Sequence, residues 1–206
     1  MNSGPQLNRS DLGVIDSRLL IRQAQTGDIR AFEELVGIYQ DKIVTMSYYL
    51  TGNRADAQDL AQEVFVQAYT KLKSFRQEAN LSTWLHRIAI NMWSNMQRRQ
   101  KFSNLLSLDD PVQTGEGEFT RSVASDDPEG DPEEAFEGKE LQESVRQALR
   151  SLSAEYRIVL VLREIEGYSY EEIAKIIGCS LGTVKSRMSR ARQALREIIT
   201  AQGQHP

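Results

Sequence analysis

Toward the C-terminus the apolar positions fall into two short helical periods divided by polar punctuation. Ile173, Ala174, Ile176 and Ile177 line one face of a first segment, and Val184, Met188, Ala191 and Leu195 recur at helical spacing in the next. Gly167 breaks the helix before them. Ser169 and Glu172 then form an S-x-x-E capping box, in which each side chain satisfies an otherwise orphaned backbone donor. The first helix is predicted to run from near Ser169 to Gly178, and Ser180 offers a hydroxyl to cap the second. Two helices with so short a joint cross steeply, as in a helix-turn-helix. The core stripe of the second helix turns Ser186, Ser189, Arg190 and Gln193 outward, with Lys185, Arg187, Arg192 and Arg196 flanking them.

Every strong pattern in the front half is also helical, with no strand alternation. Leu19, Leu20 and Ala24 predict a short helix ending near Gly27. Asp28 can cap a longer one carrying Phe32, Leu35, Val36, Tyr39, Ile43, Met46 and Leu50, which Gly52 closes. Asn53 can cap a third, whose stripe of Ala57, Leu60, Ala61, Val64, Ala68 and Leu72 leaves Asp56, Asp59, Gln62, Glu63 and Val66 pointing away. An exposed valine rimmed by carboxylates and amides is either a protein-docking patch or a singly exposed apolar residue. After the loop 74–80, a fourth helix packs Leu85, Ile88, Ala89, Met92 and Met96 inward. Its opposite face aligns Arg87, Asn91, Ser94 and Arg98, with Trp84 and Asn95 beside them and Arg99 and Lys101 at the end.

Composition sharpens the division. The chain has 206 residues, 40% hydrophobic and 26% charged, enough for two small soluble domains. Its net charge of -4 looks wrong for a nucleic-acid binder until the charges are located. Acidic residues crowd from Asp109 to Glu140, opposed only by Arg121 and Lys139, with Pro111, Pro128 and Pro132 among them. Such a stretch cannot bury enough surface to fold alone. The predicted architecture is therefore all-α: an N-terminal tail over 1–15, a helical domain over 16–102, a flexible acidic linker over 103–135, a helix-turn-helix domain over 136–200 and a C-terminal tail over 201–206. A single cysteine, Cys179, excludes an internal disulfide, and two histidines, His86 and His205, make no zinc cluster, so no metal or other cofactor is expected. No apolar run reaches the ~20 residues that span a bilayer and the N-terminus lacks a signal-peptide core, which predicts a cytoplasmic protein without membrane insertion. No small-molecule or catalytic site is expected either, since no nucleophile and base pair or phosphate loop is found.

The cationic, donor-rich face of the last helix suits a DNA duplex, which offers phosphates along its backbone and acceptor-rich edges in a groove wide enough for one helix. Charge alone fits a solvated surface equally well; the tandem caps, the short turn and Gly182 favour DNA. On the fourth helix, arginines for phosphates, asparagines for base edges and an aromatic for stacking would suit a single strand, although taken alone such a stripe is more often solvated surface and Trp84 more often core.

With DAQDLAQEVFVQAY at 56–69, SFRQEANLSTWLHRIAINMWSNMQRR at 74–99 and LSAEYRIVLVLREIEGYSYEEIAKIIGCSLGTVKSRMSRARQAL at 152–195, the chain resembles bacterial sigma factors of the extracytoplasmic-function type. The resemblance implies a region-two-like bundle and a region-four-like helix-turn-helix in a non-catalytic subunit. Such a subunit carries core RNA polymerase to promoters and helps open the DNA. By it, Asp56, Asp59, Gln62, Glu63 and Phe65 or Val66 would dock the clamp helices of the largest polymerase subunit, with the flap as a further contact. Phe75, Arg76, Asn80, Trp84, Arg87, Asn91 and Arg98 would hold the opened minus-ten strand. Lys185, Ser186, Ser189 and Arg190 would reach bases of the minus-thirty-five duplex, and Thr183, Arg187 and Arg192 its phosphates. Family members often carry a bulky residue where this chain has Ser189, so promoter choice does not transfer whole. The acidic linker matches the family's connector toward the RNA exit path, and an anti-sigma factor that holds the protein at the membrane is implied as a partner. Two competitors are a receiver-linked or ligand-linked regulator, which would need an α/β front half, and a sigma mimic, which would lose base-reading side chains.

Overall fold

The computed structural model describes residues 9–76, 80–106 and 144–202, and among them every regular element is helical. In the front half, α1 spans Arg9–Gln25, α2 Ile29–Thr51 and α3 Arg54–Lys71, followed by a 3-10 turn at Leu72–Ser74 and by α4, Leu81–Leu106. In the back half, α5 is described over 144–151. Next come α6 at Ala154–Leu160, a π-helical turn at Val161–Ile165, α7 at Tyr170–Ile177 and α8 at Leu181–Gln202. Residues 107–143, which hold the acidic stretch, lie outside the described residues, as do Gln77, Glu78 and Ala79.

The boundaries follow from local chemistry. The Asp28 carboxylate accepts from the backbone N–H groups of Arg30 and Ala31, and Asn53 accepts from that of Asp56. Gly52 closes α2 at φ 81°, a left-handed conformation that a β-carbon disfavours. Both arms of the Ser169 and Glu172 capping box are present, and hydrogen bonds from the Ser169 backbone and hydroxyl hold the Glu172 carboxyl below its usual range. Ser180 Oγ accepts from the Thr183 N–H at 3.1 Å, which starts α8 as its sequence predicts.

The α2 and α3 stripes pack as expected, with Ile43, Met46, Leu50, Leu60 and Val64 buried against Leu85 and Ala89 of α4. Gln25 Nε2 donates to the carbonyls of Leu72 and Phe75, tying α1 to the turn after α3. Two expectations are corrected. In α1, Leu19 is exposed and Ile21 takes the buried place beside Ala24. In α4, Met96 is exposed, whereas Ile90 and Trp93 are buried. In α4 a second packing partner overrides the single stripe that periodicity suggests.

For α4 the second partner is the back half of the chain. Buried residues of the two halves form one continuous cluster. Arg157 sits at the seam, where Nη1 donates to the Leu50 carbonyl at 2.6 Å and Nη2 to the carbonyls of Arg150 and Leu152 at 2.5 and 3.3 Å. Its guanidinium lies 5.3 Å from the centroid of Trp93, whose side chain is 1% exposed. Burial, with Arg150 nearby, lowers the Arg157 pKa to about 10, so it stays cationic at neutral pH. Farther along, the Tyr168 hydroxyl meets His86 Nδ1 at 2.9 Å and Thr83 Oγ1 at 3.3 Å. Burial, then Lys42, lowers His86 to about 4, which leaves it neutral at pH 7, and its Nε2 lies 3.5 Å from Glu166 without a hydrogen bond.

Candidate polymerase and nucleic-acid interfaces

Three surfaces carry the residues singled out by sequence. On α3, burial of Ala57, Leu60, Ala61, Val64 and Ala68 leaves Asp56, Asp59, Gln62 and Glu63 exposed on the other side. Val66 stands among them at 66% exposure. Phe65 is half-buried and packs on the core, so it supports this face more than it presents to a partner. Asp56 is already engaged, since its carboxylate accepts from Asn53 Nδ2 at 2.5 Å within the cap. Tyr69, one helical turn beyond Val66, is exposed as well, with Phe32 edge-on to its ring at 5.0 Å. Its i+3 spacing from Val66 is the signal that extends the apolar part of the patch.

The second surface begins at Phe75. Its side chain is 7% exposed and lies 4.9 Å from the ring of half-buried Trp84. Phe75 is thus turned inward into the buried cluster, where its ring forms a floor for Trp84. Asn80 is exposed and acts as the α4 N-cap, its Oδ1 accepting from the Ser82 N–H at 3.1 Å. Arg76, Arg87, Asn91 and Arg98 are exposed and Ser94 is half-buried, with Arg98 bonded to the Asn95 side chain. Asn91, Ser94 and Arg98 line a cleft whose far wall is Ala154, Glu155 and Arg187, whereas Arg87 lies outside it. The stripe is therefore divided by the back half of the molecule.

On α8, Val184, Met188 and Ala191 are buried, and Lys185, Ser186, Ser189, Arg190, Arg192 and Gln193 are exposed, as the periodicity predicts. Thr183 and Arg187 are half-buried. Some donors are already occupied: the Ser186 hydroxyl donates to the Thr183 carbonyl at 3.0 Å, and the Thr183 and Ser180 hydroxyls meet at 2.8 Å. Two arginines carry carboxylate partners, Arg187 with Glu155 at 2.9 Å and Arg192 with Glu164 at 2.7 Å. Lys185, Arg190 and Arg196 have none among the described residues, and are the open cations of the face. Residues reached by no sequence signal are Glu155, Glu164 and Arg157, whose partners lie far along the chain. Among the described residues no group of His, Cys, Asp or Glu could hold a metal ion, and no helix is long and apolar enough to cross a membrane.

Residues 35–103 match the family described as Sigma-70 region 2, and residues 142–195 the one described as Sigma-70, region 4. The chain is 37% identical over 179 residues to the ECF RNA polymerase sigma factor SigW of Bacillus subtilis, covering 87% of this chain and 94% of that protein. It is likewise 37% identical over 185 residues to the ECF RNA polymerase sigma-E factor of Escherichia coli, covering 88% and 93%. The solved structure of the sigma factor RpoE of Bartonella quintana, in complex with the anti-sigma factor NepR, superposes with a TM-score of 0.62 at 27% identity, over 84% of this chain and 98% of that one. A front bundle with an acidic helix face, a polar α4 stripe and a capped helix-turn-helix, in this order and with these relatives, place the chain in the Sigma-70 family, among the extracytoplasmic-function sigma factors.

Proposed function

We infer that this sigma subunit divides its work among the three surfaces. The exposed carboxylates Asp56, Asp59 and Glu63, with Gln62 and Val66, dock core RNA polymerase on its basic clamp helices, where complementary charge speeds encounter and fixes register. The α4 stripe and Trp84, on its Phe75 floor, hold the opened minus-ten strand: Arg87 and Arg98 take phosphates, Asn80 and Asn91 base edges, and the indole a stacked base. The α8 face enters the major groove of the minus-thirty-five element, with Lys185 and Arg190 nearest to bases and Arg187 and Arg192 on phosphates. Bond-making chemistry belongs to the polymerase; this chain contributes binding only.

The observation that carries this reading is the presence of the open cations Lys185 and Arg190 on a helix whose opposite side buries Val184, Met188 and Ala191 and whose start is capped. We also propose that the protein works in the cytoplasm and is held inactive by an anti-sigma factor, as the Bartonella quintana protein is found in complex with one. Run-off transcription with purified bacterial core enzyme tests the whole. Transcripts that start at discrete genomic positions only when the chain is added are expected; their absence from every template overturns the assignment.

A further inference from the structure

The helix-turn-helix leaves one feature of the back half unused, the π-helical turn at Val161–Ile165. Its wider ring, closed by the Glu166 N–H on the Val161 carbonyl at 3.1 Å, inserts one residue relative to an α-helix. One residue turns the following side chains by about 100° about the helix axis. The result is a sorted set of directions: Val161 and Leu162 are buried, Arg163 donates to the Tyr168 carbonyl at 2.9 Å and stacks 5.4 Å from the Tyr170 ring, and Glu164 points at α8. There Glu164 Oε1 accepts from Arg192 Nη2 at 2.7 Å, and this bond holds the Arg192 pKa above its usual value.

We propose that Glu164 is a positioning residue for DNA binding: it fixes the Arg192 guanidinium at the edge of the recognition helix so that its remaining N–H groups meet a phosphate. The proposal rests on the reading of α8 as the duplex-binding helix. Arginine presents five donors in a planar fork, so one bond to a carboxylate leaves others free. Arg192 and Glu164 are 52% and 50% exposed, which leaves room for a phosphate beside the pair. Two opposed effects decide the sign of the contribution. The carboxylate repels an approaching phosphate, but both side chains are half exposed, and the high dielectric of water, more than salt at so short a distance, screens that repulsion. Ordering a long, freely rotating side chain is not screened, and Glu164 supplies that ordering before DNA arrives.

The test uses holoenzyme reconstituted from core polymerase and the full chain, with a labelled promoter duplex taken from mapped transcript starts, titrated across a salt series. R192A is expected to weaken binding between about three- and tenfold, the scale of one exposed charge-assisted contact, and to lower the salt slope by about 0.9. E164A is expected to reproduce both effects, the E164A/R192A double variant to add nothing, and E164Q, which keeps an oxygen acceptor in place, to recover most of the loss. E164A that strengthens binding or steepens the slope overturns the proposal, because Glu164 then only neutralises Arg192; unchanged binding overturns it too. If R192A itself is silent, the phosphate role of Arg192 fails, an outcome distinct from failure at Glu164. Unchanged core affinity and melting midpoint of E164A exclude a folding defect.

Discussion

The two surfaces assigned to nucleic acid are both faces of long helices, yet they are built differently. Helix α8 buries one stripe, Val184, Met188 and Ala191, flanks it with half-buried residues and leaves Lys185, Ser189 and Arg190 to solvent. Helix α4 buries two, one against α2 and α3 and another, Ile90 and Trp93, under the back half, and its polar stripe is squeezed between them. A helix with one buried stripe can vary its outer residues at little cost to the fold. A helix with two has less freedom, because exposed positions such as Arg87 and Asn91 adjoin buried ones. Substitutions on α8 should therefore change what is bound, and substitutions near the α4 seam should change first whether the halves stay together.

The largest effect expected from that contrast is at Arg157. Its replacement by alanine strands the Leu50, Arg150 and Leu152 carbonyls and uncovers Trp93, and should lower the unfolding free energy by about 3 kcal/mol, measured by urea denaturation. A loss under about 1 kcal/mol would mean the seam is held by apolar contact alone. Next comes a crossed pair. R190A should weaken promoter binding by about 1–3 kcal/mol with core affinity intact, and D59K/E63K should do the reverse, weakening core binding tenfold or more before DNA is added. Any crossing of these effects breaks the division of surfaces.

The smallest effect is on pH. His86 is lowered from 6.5 to about 4 in the fold by burial and Lys42, so its contribution is complete above pH 6.5 and is lost as pH falls toward 4. Between pH 7 and 5.5 the loss is about 1 kcal/mol. Glu166, raised by burial, works in the opposite direction as it takes up a proton, while Thr83 and Tyr168 do not titrate in this range. H86Q should flatten the dependence of the urea midpoint on pH; an equally steep profile in that variant assigns the effect elsewhere.

What was legible in sequence and what was not divide along similar lines. Caps are local, so Asp28, Asn53, Ser169 with Glu172, and Ser180 could be read from a few neighbouring residues, and they delimit the helices that carry all three surfaces. The outward set on α8 followed because one stripe fixes its opposite. Phe75 could not be oriented, since the buried cluster that takes it in is assembled from several helices. His86, Ile90 and Trp93 do recur at i, i+4 and i+7, a second helical stripe, but nothing local says that a segment beyond residue 144 will cover it. Glu164 was hidden by the π turn, which no periodicity announces.

The cleft shared by Asn91, Arg98 and Arg187 carries a consequence in length. Promoter elements centred near positions ten and thirty-five lie about 25 base pairs apart, or about 85 Å along a B-form duplex. Helix α8 is only about 33 Å long, and its Arg187 faces α4 across a single groove. If α4 and α8 take the two elements as proposed, both cannot be occupied while the groove is intact. The connecting residues 107–143 have a covalent reach on the order of 120 Å, more than the separation demands. Engagement of a whole promoter in that way would break the Arg157 bond to Leu50 and bring Trp93 into water, so the indole that closes the seam would also be a natural optical gauge of its parting.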